Sequence, residues 1–360
     1  MTRENLVRPG IRALRSYSLV PETPVPVRAK LDFNESPYDV PQEIKERVAS
    51  RLLARRWALY PEFGAGRLRK AIAESIGRRP GEIVVGNGSG EAILAAINVF
   101  AGGGGTVLLT PPTFSLYPQL AAITGALLRE VPLAGEEFAF DEEALLSAVA
   151  ATPRSIPLIC SPNNPTGGTA PLEFLRRLAA AAPVVLVDQA YVDFAPPEAS
   201  ALPLVFECGN VVVFRTLSKA YSAAGFRIGF AVAPEDLARE IGKAILPFNV
   251  DQASEELAVA LLETPALARA RVAEIVAERE RLVRELSAMG AKMAPAAGNF
   301  LFVAPPGRAA EAVHQALLAK GILVRYLGPV APGRLRVTVG RPEENDIFLT
   351  EFARALKEAP

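Results

Sequence analysis

Apolar residues in this chain follow two rhythms, and the two rhythms sort it into elements. Short runs rich in β-branched and aliphatic residues, Glu82 to Val85, Ile156 to Cys160, Val184 to Val187 and Val211 to Phe214, read as strands. Between them lie stretches with helical spacing, such as Ala92 to Phe100, and the alternation continues to about Phe230. Strands alternating with helices predict an α/β fold, a mostly parallel sheet flanked by helices. Upstream, the spacing predicts helices over Gln42 to Leu59 and Arg67 to Ile76, with Tyr60-Pro61-Glu62-Phe63-Gly64-Ala65-Gly66 as the breaker between them. The first thirty or so residues are irregular and hold four prolines. After Pro247 a long charged helix, Ala266 to Met289, leads into strands at Asn299 to Val303, Leu323 to Tyr326 and Leu335 to Val339. The partition that follows is a large domain over 46–250 and a smaller α+β domain formed by both termini, 1–45 and 251–360.

Composition narrows the partners. The 360 residues are half hydrophobic and carry a formal net charge of zero, with 39 basic and 39 acidic side chains. A chain without basic excess is a poor match for nucleic acid or an acidic membrane surface. Two cysteines, Cys160 and Cys208, make neither a disulfide framework nor a zinc site. The single histidine, His314, falls in a helical pattern and reads as an ordinary helix residue. No apolar run is long enough to span a membrane, and the start contains no signal-peptide core, so a soluble cytoplasmic enzyme is expected.

The chemistry sits at the strand ends. Ile156 to Cys160 runs into Ser161-Pro162-Asn163-Asn164-Pro165-Thr166-Gly167-Gly168, Val184 to Val187 ends in Asp188 with Tyr191 beyond, and Val211 to Phe214 precedes Ser218-Lys219. Open α/β sheets bind ligands at the carboxyl ends of their strands, so a polar turn, an acid and a lysine converge there. That set suits pyridoxal phosphate: an amine for the Schiff base, a carboxylate for the pyridinium nitrogen, and an anion cradle. Gly86-Asn87-Gly88-Ser89-Gly90-Glu91, between a strand and a helix, offers free N–H groups to a phosphate. The alternatives there are a dinucleotide-binding turn, which lacks its third glycine and its acidic ribose partner, and a plain tight turn. Asn164 can donate to a ring hydroxyl oxygen or merely build a β-turn. Asp188 can instead cap a helix. Arg227, between two glycines, suits a bidentate phosphate contact or a structural ion pair. Phe114 can stack on a flat ring or pack in the core. Arg325 and Arg336, within apolar strands, fit an anionic substrate, with a solvated strand face as the alternative.

These segments together resemble the fold-type I pyridoxal-phosphate aminotransferases, and within them the histidinol-phosphate aminotransferases. The carriers are Asn34-Glu35-Ser36-Pro37, Tyr60-Pro61-Glu62, Ser161 to Gly167, Asp188-Gln189-Ala190-Tyr191, Arg215-Thr216-Leu217-Ser218-Lys219-Ala220, Gly225-Phe226-Arg227-Ile228-Gly229 and Leu335-Arg336-Val337-Thr338-Val339-Gly340. The resemblance implies that Lys219 binds the cofactor covalently, Asp188 pairs with its ring nitrogen, and Asn164 and Tyr191 contact its ring hydroxyl oxygen. It implies a phosphate held by backbone around Ser89, Gly90 and Glu91, by Ser218 and by Arg227. It further implies a homodimer in which Tyr60 serves the partner's site, Arg336 binds a substrate carboxylate, Arg325 assists at the substrate phosphate, and Tyr17 reaches substrate. Gln189 stands where many relatives carry Glu, and Phe114 where Tyr is common. The implied reaction moves an amino group from glutamate to imidazole-acetol phosphate, giving histidinol phosphate and 2-oxoglutarate, with Lys219 as the general base. The rivals are threonine-phosphate decarboxylation or aromatic transamination on the same scaffold, and a binding protein or regulator that keeps the scaffold without turnover.

Overall fold

The computed structural model describes residues 6–14, 23, 25–328 and 330–358. Among the described residues, twelve strands form two sheets. The larger contains β2 (Ile83–Asn87), β3 (Thr106–Leu109), β4 (Leu127–Glu130), β5 (Ser155–Cys160), β6 (Val185–Asp188), β7 (Val211–Thr216) and β8 (Ile228–Val232). Its order is β2-β8-β7-β6-β5-β3-β4. The run β7-β6-β5-β3-β4 is parallel, while β8 is antiparallel to both β7 and β2.

The apolar runs of the inner strands β5, β6 and β7 form strands because both faces of the sheet are covered there, while the edge strand β4 is exposed along its length. Along β6 and β7, Val185, Val187, Val211 and Val213 point into one core, with the helices Gly66–Ser75 and Leu172–Ala181. Leu186, Val212 and Phe214 point into the other, with the helices Ser89–Ala101 and Leu116–Thr124. Alternating side chains with no polar face is the pattern of a doubly covered sheet.

The smaller sheet contains β1 (Ala29–Leu31), β9 (Lys292–Met293), β10 (Phe300–Ala304), β11 (Ile322–Tyr326) and β12 (Leu335–Thr338), in the order β1-β11-β12-β10-β9. Strand β1 joins from the N-terminal side by pairing in parallel with β11, Ala29 opposite Ile322 and Leu31 opposite Val324. The helix Pro265–Ala288, 24 residues and so about 36 Å long, packs Ile275, Leu282 and Leu286 into this sheet's core.

Two features bear on the partition at 46 and 250. The helix Gln42–Leu53 crosses the first cut, and the helix Gln252–Leu262 follows the second. Ile44, Val48, Leu257 and Leu261 all lie in a core of the large sheet, so both helices pack as part of the large body. The helix expected over 42–59 stops at Leu53, where the Trp57 indole N–H donates to the Leu52 carbonyl at 2.9 Å and satisfies one of the terminal acceptors. His314 is buried on the helix Ala310–Leu318, its ring stacked 5.8 Å from that of Tyr326. Among the described residues no helix is long and apolar enough to cross a membrane.

Candidate active site

The parallel strands β5, β6 and β7 end side by side, and the residues just past their carboxyl ends line one cleft of about 250 Å³. Asn164 comes from the turn after β5, Asp188 from the last position of β6, and Ser218 and Lys219 from the turn after β7. Ser89, Gly90, Phe114, Tyr191, Arg227 and Arg336 complete the lining among the expected residues.

Lys219 Nζ donates to the Phe33 carbonyl at 3.0 Å. Burial, reinforced by the positive charge of Arg336, pulls its pKa down from 10.5 to about 7. Its amine is therefore largely neutral just above neutral pH, which makes it a nucleophile and a base. Asp188, 3% exposed, lies on the cleft floor. Its Oδ2 accepts from the Tyr117 hydroxyl at 2.7 Å and its Oδ1 from the Ala190 N–H at 3.0 Å. Both donors are neutral, and among the described residues no lysine, arginine or histidine forms an ion pair with it. Burial raises its pKa accordingly. A carboxylate so placed is stabilised by a cation arriving from the cleft.

Tyr191, Asn164 and Arg336 form a chain of hydrogen bonds. Arg336 Nη1 donates to Asn164 Oδ1 at 2.6 Å, and Asn164 Nδ2 donates to the Tyr191 hydroxyl at 3.4 Å. Arginine has no acceptor, so the Asn164 amide can face it only through its oxygen. Tyr191 also accepts from Asn34 Nδ2 at 3.1 Å, which leaves its own O–H to donate. Burial pushes the Tyr191 pKa up to about 12.

The opposite end of the cleft gathers groups that attract negative charge. Gly88 precedes the helix Ser89–Ala101 at φ 80°, a conformation open to glycine, and a Cβ there would lie 2.6 Å from Arg227 Nη2. The guanidinium thus lies against the amide run that opens the helix, whose free N–H groups and positive dipole end attract negative charge. A Cβ on Gly229 would sit 2.0 Å from the Ser89 nitrogen, so β8 brings Arg227 to this turn only because residue 229 lacks a side chain.

Three expected residues lie outside this lining. Glu91 stands in the helix's first turn, but its carboxylate turns back to the Asn87 N–H at 2.6 Å and the Asn249 amide at 2.7 Å. Arg325 pairs across the sheet with Arg336, which places both on one face, yet it stops short of the cleft. Tyr60 is 80% exposed and stacks on Phe248 at 4.6 Å, away from this chain's own cleft. Tyr17 lies outside the described residues. Of the two departures from the family pattern, Gln189 bonds the loop at Ala199 and Ala201. Phe114 sits edge-on to Tyr117, 5.5 Å away, and it is Tyr117 that brings a hydroxyl to Asp188.

The residues missed from sequence are the supports: Tyr117, Asn34 and the carbonyls of Asp32 and Phe33, the former of which accepts from Arg336 Nη2. Tyr117 carried one usable signal, since a tyrosine within an apolar helix must bring its hydroxyl to a partner when buried.

The pattern of the family described as "Aminotransferase class I and II" matches residues 28–352. The chain is 38% identical to histidinol-phosphate aminotransferase 1 of Carboxydothermus hydrogenoformans, covering 91% of this chain and 93% of that one. It is likewise 38% identical to the histidinol-phosphate aminotransferase of Thermococcus kodakarensis, covering 96% of each. Among solved structures, that of histidinol-phosphate aminotransferase from Sinorhizobium meliloti in complex with pyridoxal-5'-phosphate superposes with a TM-score of 0.88. It covers 100% of this chain and 99% of its own at 24% identity, and so speaks to the fold. With that match over most of its length, the chain belongs to the class I and II aminotransferases.

Proposed function

We propose that this chain is a pyridoxal-phosphate-dependent histidinol-phosphate aminotransferase, cytoplasmic and homodimeric, with glutamate as amino donor and imidazole-acetol phosphate as acceptor. One observation carries the cofactor reading: a buried carboxylate without a cation, Asp188, shares a cleft with a neutralised lysine and an arginine-backed helix N-terminus. The substrate reading is supported by curated relatives of that name at 38% identity.

The residues present fit the cofactor. Asp188 would hold its ring nitrogen, Tyr191 its ring oxygen, Lys219 its aldehyde carbon, and Ser89, Gly90, Ser218 and Arg227 its phosphate. Bound there, pyridoxal phosphate supplies the carbon that carries the amino group and a ring that takes up negative charge from the substrate. Lys219 Nζ, neutral above about pH 7, takes the proton from the substrate's α-carbon. Arg336 meets the substrate's anionic end, with Arg325 beside it on the same sheet face. Phe114 walls the cleft and limits water.

The homodimer reading is supported by an exposed apolar patch. Tyr60 and Phe63, 80% and 74% exposed, pack their rings on Phe248, and Phe63 and Phe248 line a groove of about 350 Å³ together with Leu246, 73% exposed. Patches of this kind mark interaction surfaces. A second copy of the chain would cover it and receive Tyr60.

The test mixes cofactor-loaded protein separately with histidinol phosphate, glutamate, threonine phosphate and phenylalanine. Loss of the visible chromophore with histidinol phosphate and with glutamate, each giving its oxo product, is expected. Carbon dioxide released from threonine phosphate would move the protein to decarboxylation, and rapid conversion by phenylalanine alone would move it to aromatic transamination.

A further inference from the structure

The segment just after β1 crosses from the small sheet over the cleft, and three consecutive residues each touch a different group in it. The Asp32 carbonyl accepts from Arg336, the Phe33 carbonyl accepts from Lys219 at 3.0 Å, and the Asn34 amide donates to Tyr191 at 3.1 Å. Asn34 is fully buried and its backbone is left-handed, φ 53°, a region that few residues other than glycine and asparagine enter readily. It is held there by the small domain. Thr338 Oγ1 accepts from the Asn34 N–H at 2.9 Å and donates to Asn34 Oδ1 at 3.1 Å, while Asn299 Nδ2 donates to the Asn34 carbonyl at 3.1 Å. Thr338 and Asn299 are themselves buried, and Thr338 lies two positions beyond Arg336 on the same face of β12.

We infer that Asn34, Thr338 and Asn299 form a positioning clamp through which the small domain holds the Lys219 amine and the Tyr191 hydroxyl in place over the cleft. The inference rests on the reading of Lys219 as the amine that acts in this site. Neither Thr338 nor Asn299 touches the cleft's reacting groups; each acts through Asn34. The clamp also keeps water away from Lys219 by seating Phe33 across it. Burial is the largest cause of the low Lys219 pKa; Arg336, Arg227 and Lys30 disfavour the ammonium further, and Glu35 favours it. Loosening the clamp changes none of these charges. It admits water, so the Lys219 pKa rises toward the ordinary lysine value.

The test follows the Lys219 amine itself in the apoprotein, by its rate of acetylation with acetic anhydride across pH, read by peptide mass spectrometry. Wild-type protein is expected to show a midpoint near 7. Thr338→Val, which keeps the shape and removes the hydroxyl, is expected to raise that midpoint by on the order of one unit. In the cofactor-loaded protein it is expected to lower kcat by on the order of tenfold with KM little changed. Thr338→Ser restores the hydroxyl and is expected to return both to wild-type values. Should Thr338→Val fold poorly, Asn299→Ala removes only the donor to the Asn34 carbonyl and is expected to shift the midpoint the same way. A variant that lowers the melting temperature but leaves the Lys219 midpoint and kcat at wild-type values would reduce the trio to ordinary structure and overturn the clamp. A wild-type Lys219 that titrates like a solvent-exposed lysine and takes up no pyridoxal phosphate would overturn the reading of the site itself.

Discussion

At the scale of single residues, burial converts ordinary side chains into reagents. Lys219 is the clearest case, and its shift has a consequence for stability that needs no substrate. Above about pH 7 the folded chain holds this amine neutral, whereas in the unfolded chain it keeps its proton up to about pH 10.5. The unfolded state then binds more protons, so stability rises with pH through that window, by about 1.4 kcal/mol per unit from this group. Urea unfolding of the apoprotein between pH 7.5 and 9.5 is expected to show this slope as the difference between wild type and Lys219→Met; equal slopes would contradict a depressed lysine. Charged residues such as Lys219, Asp188 and Arg227 were legible because a charge beside an apolar strand needs a reason. Tyr117 was not, and Asn34 and Thr338 stood in family motifs without any role that the sequence could assign. They are neutral, and they join the site only through contacts across 71, 157 and 304 positions of chain.

Elements were legible where the rhythm was strong. The runs that became β5, β6 and β7 could hardly be anything but buried strands, and their order along the chain already placed Asn164, Asp188 and Lys219 at one sheet edge. Direction was harder. Strand β8 runs antiparallel because residues 217–227 are too few for the helical crossover that a parallel return needs. That reversal swings Arg227 back to the start of the helix Ser89–Ala101, and Gly229 makes the approach possible. Gly229→Ala is expected to push the first turn of that helix outward, at a cost of about 1–3 kcal/mol. Pyridoxal phosphate affinity is expected to fall on the order of tenfold, since the amide run and Arg227 would no longer converge. Thermal melts and cofactor titration would check both. A stable variant with unchanged affinity would remove the anion cradle from this turn.

For the whole molecule, the proposed homodimer turns on the surface around Tyr60. The segment bearing it is tied down from within: Arg55 and Arg67 pair with Glu255 and Glu256, both glutamates nearly buried, and the Gln252 amide holds the Leu59 carbonyl at 3.0 Å. So rigid a base under exposed aromatic rings suits a surface that another copy completes. If Tyr60 serves the partner's cleft, Tyr60→Ala and Lys219→Ala proteins should each be inactive alone. Refolded together in equal amounts, they should recover about one quarter of wild-type activity, because half of the dimers would hold one intact site. No recovery, despite mixed dimers seen by native mass spectrometry, would place Tyr60 outside the site.

The pairing of Ala29–Leu31 with Ile322–Val324 sets the order in which this molecule is assembled as it leaves the ribosome. At about 5–20 residues per second, the C-terminal partner emerges roughly 15–60 s after the N-terminal strand. Meanwhile Asp188, Lys219 and Arg227 have all been made, and the large sheet can close over its core. A nascent chain would therefore offer a place for pyridoxal phosphate before it has a roof over Lys219. The large body is complete only with β8 and the helix Gln252–Leu262, so on this reading capture of the cofactor and the start of turnover are separated by the synthesis of residues 263–338.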